Sequence, residues 1–162
     1  MKTKMRLAAV FLAALTLLSF MAAPGSALAA GEPDAEAIGR RLIETGSRYL
    51  GTAYEFGADP DRTDAFDCSS FTKHVFGLFG IELPRSSREQ YRAGRAVPLK
   101  EARVGDLVFF HRTGDPSYIS HVGIYAGDGQ VLHATASQGV TFSDFTSGYW
   151  AERFAGVRRF IP

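Results

Sequence analysis

The spacing of apolar residues changes once along the chain, close to Gly105, and that change limits the possible folds more than any other feature. After it the sequence reads as strands at 107–110, 120–126, 130–135, 139–142 and 154–160, with turn formers between them. Gly127-Asp128-Gly129 is a hairpin signature. The polar stretch 112–119 reads as a longer loop, and 143–153 has room for a short helix. Before Gly105 the spacing is helical. Asp34 can cap a helix running to about Leu50, with Ile38, Leu42, Ile43, Tyr49 and Leu50 on its apolar side and Gly51 as its stop. A loop rich in Gly, Asp and Pro fills 51–66. A second helix starts at Asp67-Cys68, carries Phe71, Val75, Leu78 and Phe79, and stops at Gly80. Ser86 with Glu89 forms a capping box for a short helix to about Ala93, and 94–104 is a connector. Helices followed by antiparallel strands imply an α+β domain, with helices packed on one face of a mostly antiparallel sheet.

Lys2, Lys4 and Arg6, an apolar run at 7–20, a break at Pro24-Gly25 and small residues up to Ala30 have the layout of a secretory signal peptide. The apolar stretch is short of the roughly 18–20 residues a membrane span needs. Cleavage after Ala29 or Ala30 is expected, leaving 31–162 as one domain with its core at about 36–160. The product would be secreted or held at the cell wall, without a membrane anchor, and is expected to be monomeric. All three basic residues of the leader would depart and no acidic one, so the remainder is mildly acidic. It has no basic stripe for nucleic acid.

Cys68 is the only cysteine, so an exported chain could form no internal disulfide. A thiol in the first turn of a helix faces amide groups without intrahelical partners and the positive end of the dipole. Both favour the nucleophilic thiolate. The plainer alternative is a small buried side chain. A nucleophilic cysteine needs a base and a group that orients the base. Of four histidines, His74 lies nearly opposite Cys68 on the helix and reads as packing, and His111 at a strand end is a weak candidate. His121 and His133 sit on the two arms of the Gly127-Asp128-Gly129 hairpin. With its centre near Asp128, His121 falls opposite Thr135 and His133 opposite Gly123, so the two imidazoles share a face as near-neighbours. Zinc is a weaker reading, since no close ligand pair such as C-x-x-C or H-x-x-x-H is present.

Phe66-Asp67-Cys68-Ser69-Ser70-Phe71, Leu83-Pro84-Arg85-Ser86-Ser87, Gly105-Asp106-Leu107-Val108-Phe109-Phe110, Ser120-His121-Val122-Gly123-Ile124-Tyr125 and His133-Ala134 follow one another as in the NlpC-type cell-wall cysteine peptidases, which the chain resembles from about residue 36 to 160. The resemblance implies a papain-like α+β fold and an activity against peptidoglycan stem peptides or muropeptides, usually at the bond between γ-linked D-glutamate and the diamino acid. It implies no cofactor and no metal. It makes Cys68 the nucleophile, His121 the base and His133 its orienter. Tyr54 lines the site, Asp67 and Ser69 bind the stem, and Ser86 and Ser87 lie in the loop that closes that pocket. Asp67 would meet a free amino terminus with one carboxylate oxygen while capping the helix with the other. Two departures, Glu55-Phe56-Gly57-Ala58 after the tyrosine and Ser70 in place of a glycine, touch the pocket wall and bear on substrate preference. The alternatives are a CHAP-type amidase or endopeptidase, and a non-catalytic secreted wall-binding protein on the same scaffold.

Overall fold

The computed structural model describes residues 35–162; the expected signal segment and the Asp34 cap lie outside the described residues. In chain order, helix α1 (Ala35–Ser47) is followed by two-residue strands β1 (Ala53–Tyr54) and β2 (Ala65–Phe66), then helices α2 (Cys68–Gly77) and α3 (Ser87–Ala93). Strand β3 (Arg95–Val97) and a 3-10 turn at Leu99–Glu101 lead into β4 (Leu107–Arg112), β5 (Asp115–Gly127), β6 (Gln130–Thr135) and β7 (Gly139–Asp144). The short helix α4 (Gly148–Ala151) precedes β8 (Phe154–Arg159). Six strands form one sheet in the order β3-β8-β4-β5-β6-β7, every neighbour antiparallel, while β1 and β2 pair in parallel beside it. No helix among the described residues is long and apolar enough to cross a membrane.

The run at 107–110 is apolar throughout because β4 is covered on both faces. Leu107 and Phe109 pack with Leu42, Phe66, Phe71, Val75 and Phe76 in the core shared with the helices. Val108 and Phe110 pack on the other side with Val131 and Phe145, under Trp150 and Phe154. Each fully buried side chain of this size contributes about 1.5–3 kcal/mol. Core packing, more than intrinsic propensity, therefore holds the ten-residue α2 in place.

The turn at the β5–β6 hairpin is the one its sequence asks for. Asp128 and Gly129 both have positive φ, 49° and 72°, so the two-residue turn twists with its strands. The ladder pairs Ile124 with Leu132 and Tyr125 with Val131, and its continuation sets Gly123 opposite His133, as expected.

Three expectations are corrected. The stretch 112–119 is no long loop: β5 begins at Asp115, opposite Arg112, and the turn is only Thr113-Gly114. Register shifts at Phe110/His111 and His111/Arg112 break the alternation that would have revealed the strand. Helix α1 ends at Ser47, whose hydroxyl donates to the Ile43 carbonyl (2.7 Å), so Leu50 falls in a turn and is 49% exposed. Leu78 caps α2 on the outside, and Phe76 takes the core position instead. The paired strands β1 and β2 were unforeseen, being too short to carry a pattern.

Candidate active site

Asp67 places the cysteine. Its backbone is extended (φ −91°, ψ 175°), its Oδ1 accepts from the Ser70 amide (2.7 Å), and its own amide donates to Ser70 Oγ (2.9 Å). This reciprocal cap begins α2 at Cys68 and is worth about 1 kcal/mol. Both carboxylate oxygens are fully used. Oδ1 also accepts from Ser69 Oγ (3.0 Å) and Arg85 Nη1 (3.2 Å), and Oδ2 accepts from the Gly57 amide (3.1 Å) and Arg85 Nη2 (2.7 Å). The oxygen that the sequence reading left for a stem amine is thus engaged by Arg85 and Gly57. Burial pushes this carboxyl up, but Arg85, the Ser70 amide and Ser69 outweigh it and hold it below the ordinary carboxylate range.

The thiol differs from the expectation for a helix start. Cys68 is 7% exposed, and burial first, then the Asp67 charge, push its pKa up to about 12. The backbone amides of Val122, Ser69 and Cys68 itself oppose the rise without cancelling it. Desolvation outweighs the dipole here. Cys68 belongs to the same core cluster as Val122, the residue after His121 on β5.

His121 and His133 meet as the hairpin register requires, with His121 Nε2 and His133 Nδ1 2.9 Å apart. His133 Nε2 lies 2.9 Å from Ser143 Oγ on β7. Trp150 covers both rings, its centroid 4.6 Å from His121 and 4.8 Å from His133. Burial lowers the His121 pKa well below its ordinary value, with the neighbouring His133 adding to the effect, and burial lowers His133 to about 4. Both imidazoles are therefore neutral at neutral pH. A Cβ on Gly123 would lie 2.8 Å from the His133 Cβ and 2.4 Å from Val131 Cγ2, so only glycine lets the strands close at this point.

Tyr54 lies within the field of the thiol: burial first, then Cys68 and Asp67, raise its pKa, so its hydroxyl stays a donor. Two hollows meet at Tyr54, Arg112 and Ser120. One, of about 300 Å³, contains Cys68, Asp67, Ser69, Ser86 and Ser87; the other, of about 630 Å³, contains His121, Tyr149 and Trp150. Ser86 caps α3 as expected, its Oγ accepting from the Glu89 amide (3.3 Å) and donating to Glu89 Oε2 (2.7 Å). The other two histidines are elsewhere engaged. His74 Nδ1 donates to the Pro60 carbonyl (2.9 Å), which leaves Nε2 to accept from Tyr49 (2.8 Å). His111 Nδ1 donates to the Arg112 carbonyl (2.9 Å). No group of three or more His, Cys, Asp or Glu among the described residues could hold a metal ion.

Several site residues escaped the sequence reading. Arg85 was visible only as part of a motif, and it also donates to the Ala58 carbonyl (2.6 Å), tying the loop before α2 to the helix start. Gln90 is fully buried and donates to the carbonyls of Ser69 (3.1 Å) and Pro84 (2.9 Å), locking α3 onto α2. Phe56, at the rim of the smaller hollow, is 90% exposed, an unusual cost for a phenylalanine beside a thiol. Trp150 and Ser143 gave no sequence signal, because only the folded sheet brings them to the imidazoles.

A thiol at a helix start, packed against a strand of an antiparallel sheet that carries two linked imidazoles, defines the papain-like class of α+β domain. Within that class the chain belongs to the NlpC/P60 family, whose sequence model matches residues 51–159. It is 39% identical over 123 residues to a probable endopeptidase NlpC homolog of Haemophilus influenzae, covering 75% of this chain and 63% of that one. It is 38% identical over 120 residues to a gamma-DL-glutamyl hydrolase of Bacillus subtilis, covering 74% and 29%. The chain thus spans less than two thirds of the length of either relative. Among solved structures, an NlpC/P60 family protein from Bacillus cereus superposes with a TM-score of 0.72 at 34% identity, over 76% of this chain and 40% of that one.

Proposed function

We propose that the protein is a secreted, monomeric cysteine endopeptidase that hydrolyses peptidoglycan stem peptides between γ-linked D-glutamate and the diamino acid. In this reading 1–30 is a cleaved signal and 31–162 the catalytic domain, working at the cell wall without a membrane anchor. The observation that carries the reading is the 2.9 Å link between His121 and His133, with Cys68 in one core cluster with the next residue on β5, Val122. The names of the relatives, endopeptidase and gamma-DL-glutamyl hydrolase, support the class and the bond.

The mechanism calls for one arrangement of the protons along this link. With His121 Nε2–H donating to His133 Nδ1 and His133 Nε2–H donating to Ser143 Oγ, His121 Nδ1 is left to take the thiol proton. Burial disfavours the separated ions, so proton and electron pair move together: Sγ bonds to the scissile carbonyl carbon as its proton passes to Nδ1. The carbonyl electrons shift to oxygen, which accepts from the Cys68 amide and the Tyr54 hydroxyl. Collapse breaks the C–N bond, and His121 returns the proton to the leaving amine. Water then attacks the thioester and loses its proton to His121. The C–S bond breaks, the sulfur regains that proton, and a carboxylic acid departs.

Digestion of defined muropeptides, with products weighed by mass spectrometry, tests the proposal. Fragments cut inside the stem, and none from Cys68→Ala, are expected; cuts at the sugar–peptide amide would point to the CHAP-type alternative. The deep burial of the thiol favours one second reading, a wall-binding protein without catalysis. Sedimentation with the wall, no soluble products and indifference to thiol alkylation would establish it.

A further inference from the structure

Two arginines crowd one phenol ring beside the thiol. The guanidinium carbon of Arg112, at the end of β4, lies 4.0 Å from the Tyr118 ring centroid, and that of Arg88, in α3, lies 4.6 Å from the same centroid. All three side chains line the hollow that holds Cys68. Neither arginine forms an ion pair with a carboxylate among the described residues. The acids whose fields reach them are occupied: Asp115 accepts from Ser117 Oγ (2.6 Å) and Glu89 from Ser86 Oγ (2.7 Å). Arg85, lining the same hollow, is by contrast committed to Asp67. An exposed aromatic face returns only about 0.5–1 kcal/mol per cation. Two like charges drawn to one ring therefore suit an anion that enters from outside.

The geometry points to Arg88 and Arg112, spread on Tyr118, as the recognition site for a free carboxylate on the acyl side of the scissile bond. This rests on the peptidase reading above. His121 hands its proton to the leaving amine, so the leaving portion lies in the hollow with His121 and the acyl portion over the start of α2. A γ-linked D-glutamyl residue brings a negative charge there, its own α-carboxylate, because the γ-linkage leaves that group free. A stem amidated at this carboxyl has nearly the same shape and no charge. The site thus reads the amidation state of the D-residue, and two forked guanidiniums suit a planar carboxylate.

The test compares two soluble muropeptides that differ only in D-glutamate α-carboxylate against α-carboxamide. kcat/KM is measured for wild type, Arg88→Gln, Arg112→Gln, the double variant and Arg112→Lys. Wild type is expected to prefer the acid by about tenfold or more, the size of one charge-assisted contact. In the double variant that ratio falls towards one, chiefly through KM for the acid, while Arg112→Lys retains part of it. Both positions are exposed, so the variants should melt like wild type. Cleavage of both substrates at a ratio that the double variant leaves unmoved overturns the carboxylate site alone. Cleavage of neither by wild type overturns the peptidase reading, and the site with it.

Discussion

Arg85 grips Asp67 through both of its terminal nitrogens, at 3.2 Å and 2.7 Å, and so joins the loop after α2 to the residue that begins it. The carboxylate is nearly buried and the guanidinium partly exposed, so the pair is structural first. Arg85→Leu leaves a buried charge with only neutral donors and should cost about 2–3 kcal/mol by urea unfolding, at the low end for a buried pair. Arg85→Lys should recover less than half, since one ammonium cannot span both oxygens and the Ala58 carbonyl. Full stability in Arg85→Leu would show the pair to be incidental.

The shifts at the thiol and imidazole fix the shape of the pH–rate profile. On the proposed mechanism the working pair holds one proton between Cys68 and His121. It gains a second as pH falls through the His121 value, which burial has moved below the ordinary 6.5. It loses its proton as pH rises towards the Cys68 value, displaced upward from 9.0 to about 12. kcat/KM should therefore be flat across pH 6.5–9 and fall only outside it. Trp150→Ala admits water to both imidazoles and should move the acid limb up. An acid limb already at or above 6.5 in wild type would contradict this account.

Folding stability should also depend on pH, with a definite sign. His133 titrates at about 4 when folded and at 6.5 when exposed, so the unfolded chain binds more protons between those values. Stability is then complete above pH 6.5 and declines as pH falls towards 4, by roughly 3 kcal/mol at about 1.4 kcal/mol per unit. His121, lowered by the same burial, adds to the slope in the same direction. Thermal melting at a series of pH values checks this, and His133→Asn should flatten part of the curve while lowering kcat.

Gly123→Ala probes the strand that carries the base. The added methyl meets Val131, His133 and the Leu132 carbonyl at 2.4–3.0 Å, so the Val131 side chain must turn aside and β5 and β6 must part. A loss of about 1–3 kcal/mol is expected, as for other overpacked positions. Because the displaced contact is the His133 Cβ, kcat should fall more than KM rises.

The elements that were legible in advance are those fixed by short-range chemistry. Asp67 alone and Ser86 with Glu89 announce their helices through caps, and Asp128-Gly129 fixes a hairpin register that brings His121 to His133. What stayed hidden depends on distant parts of the chain. The strand at Asp115 is masked by two register shifts, and Leu50 faces outward because Ser47 ends its helix early. The helix start made Cys68 look easy to ionise, but local sequence does not report how much chain will cover the sulfur. Arg85, Trp150 and Ser143 reach the site from three separate elements, so no spacing rule could assemble them.

Trp150 belongs to a helix of only four residues, yet it roofs both imidazoles and forms part of the hollow beside them. On the proposed mechanism, whatever fills that hollow presses on the same indole that stacks on the base. Occupancy and basicity are consequently joined through one side chain: a well-seated leaving group dries the proton path, and a poorly seated one leaves it damp.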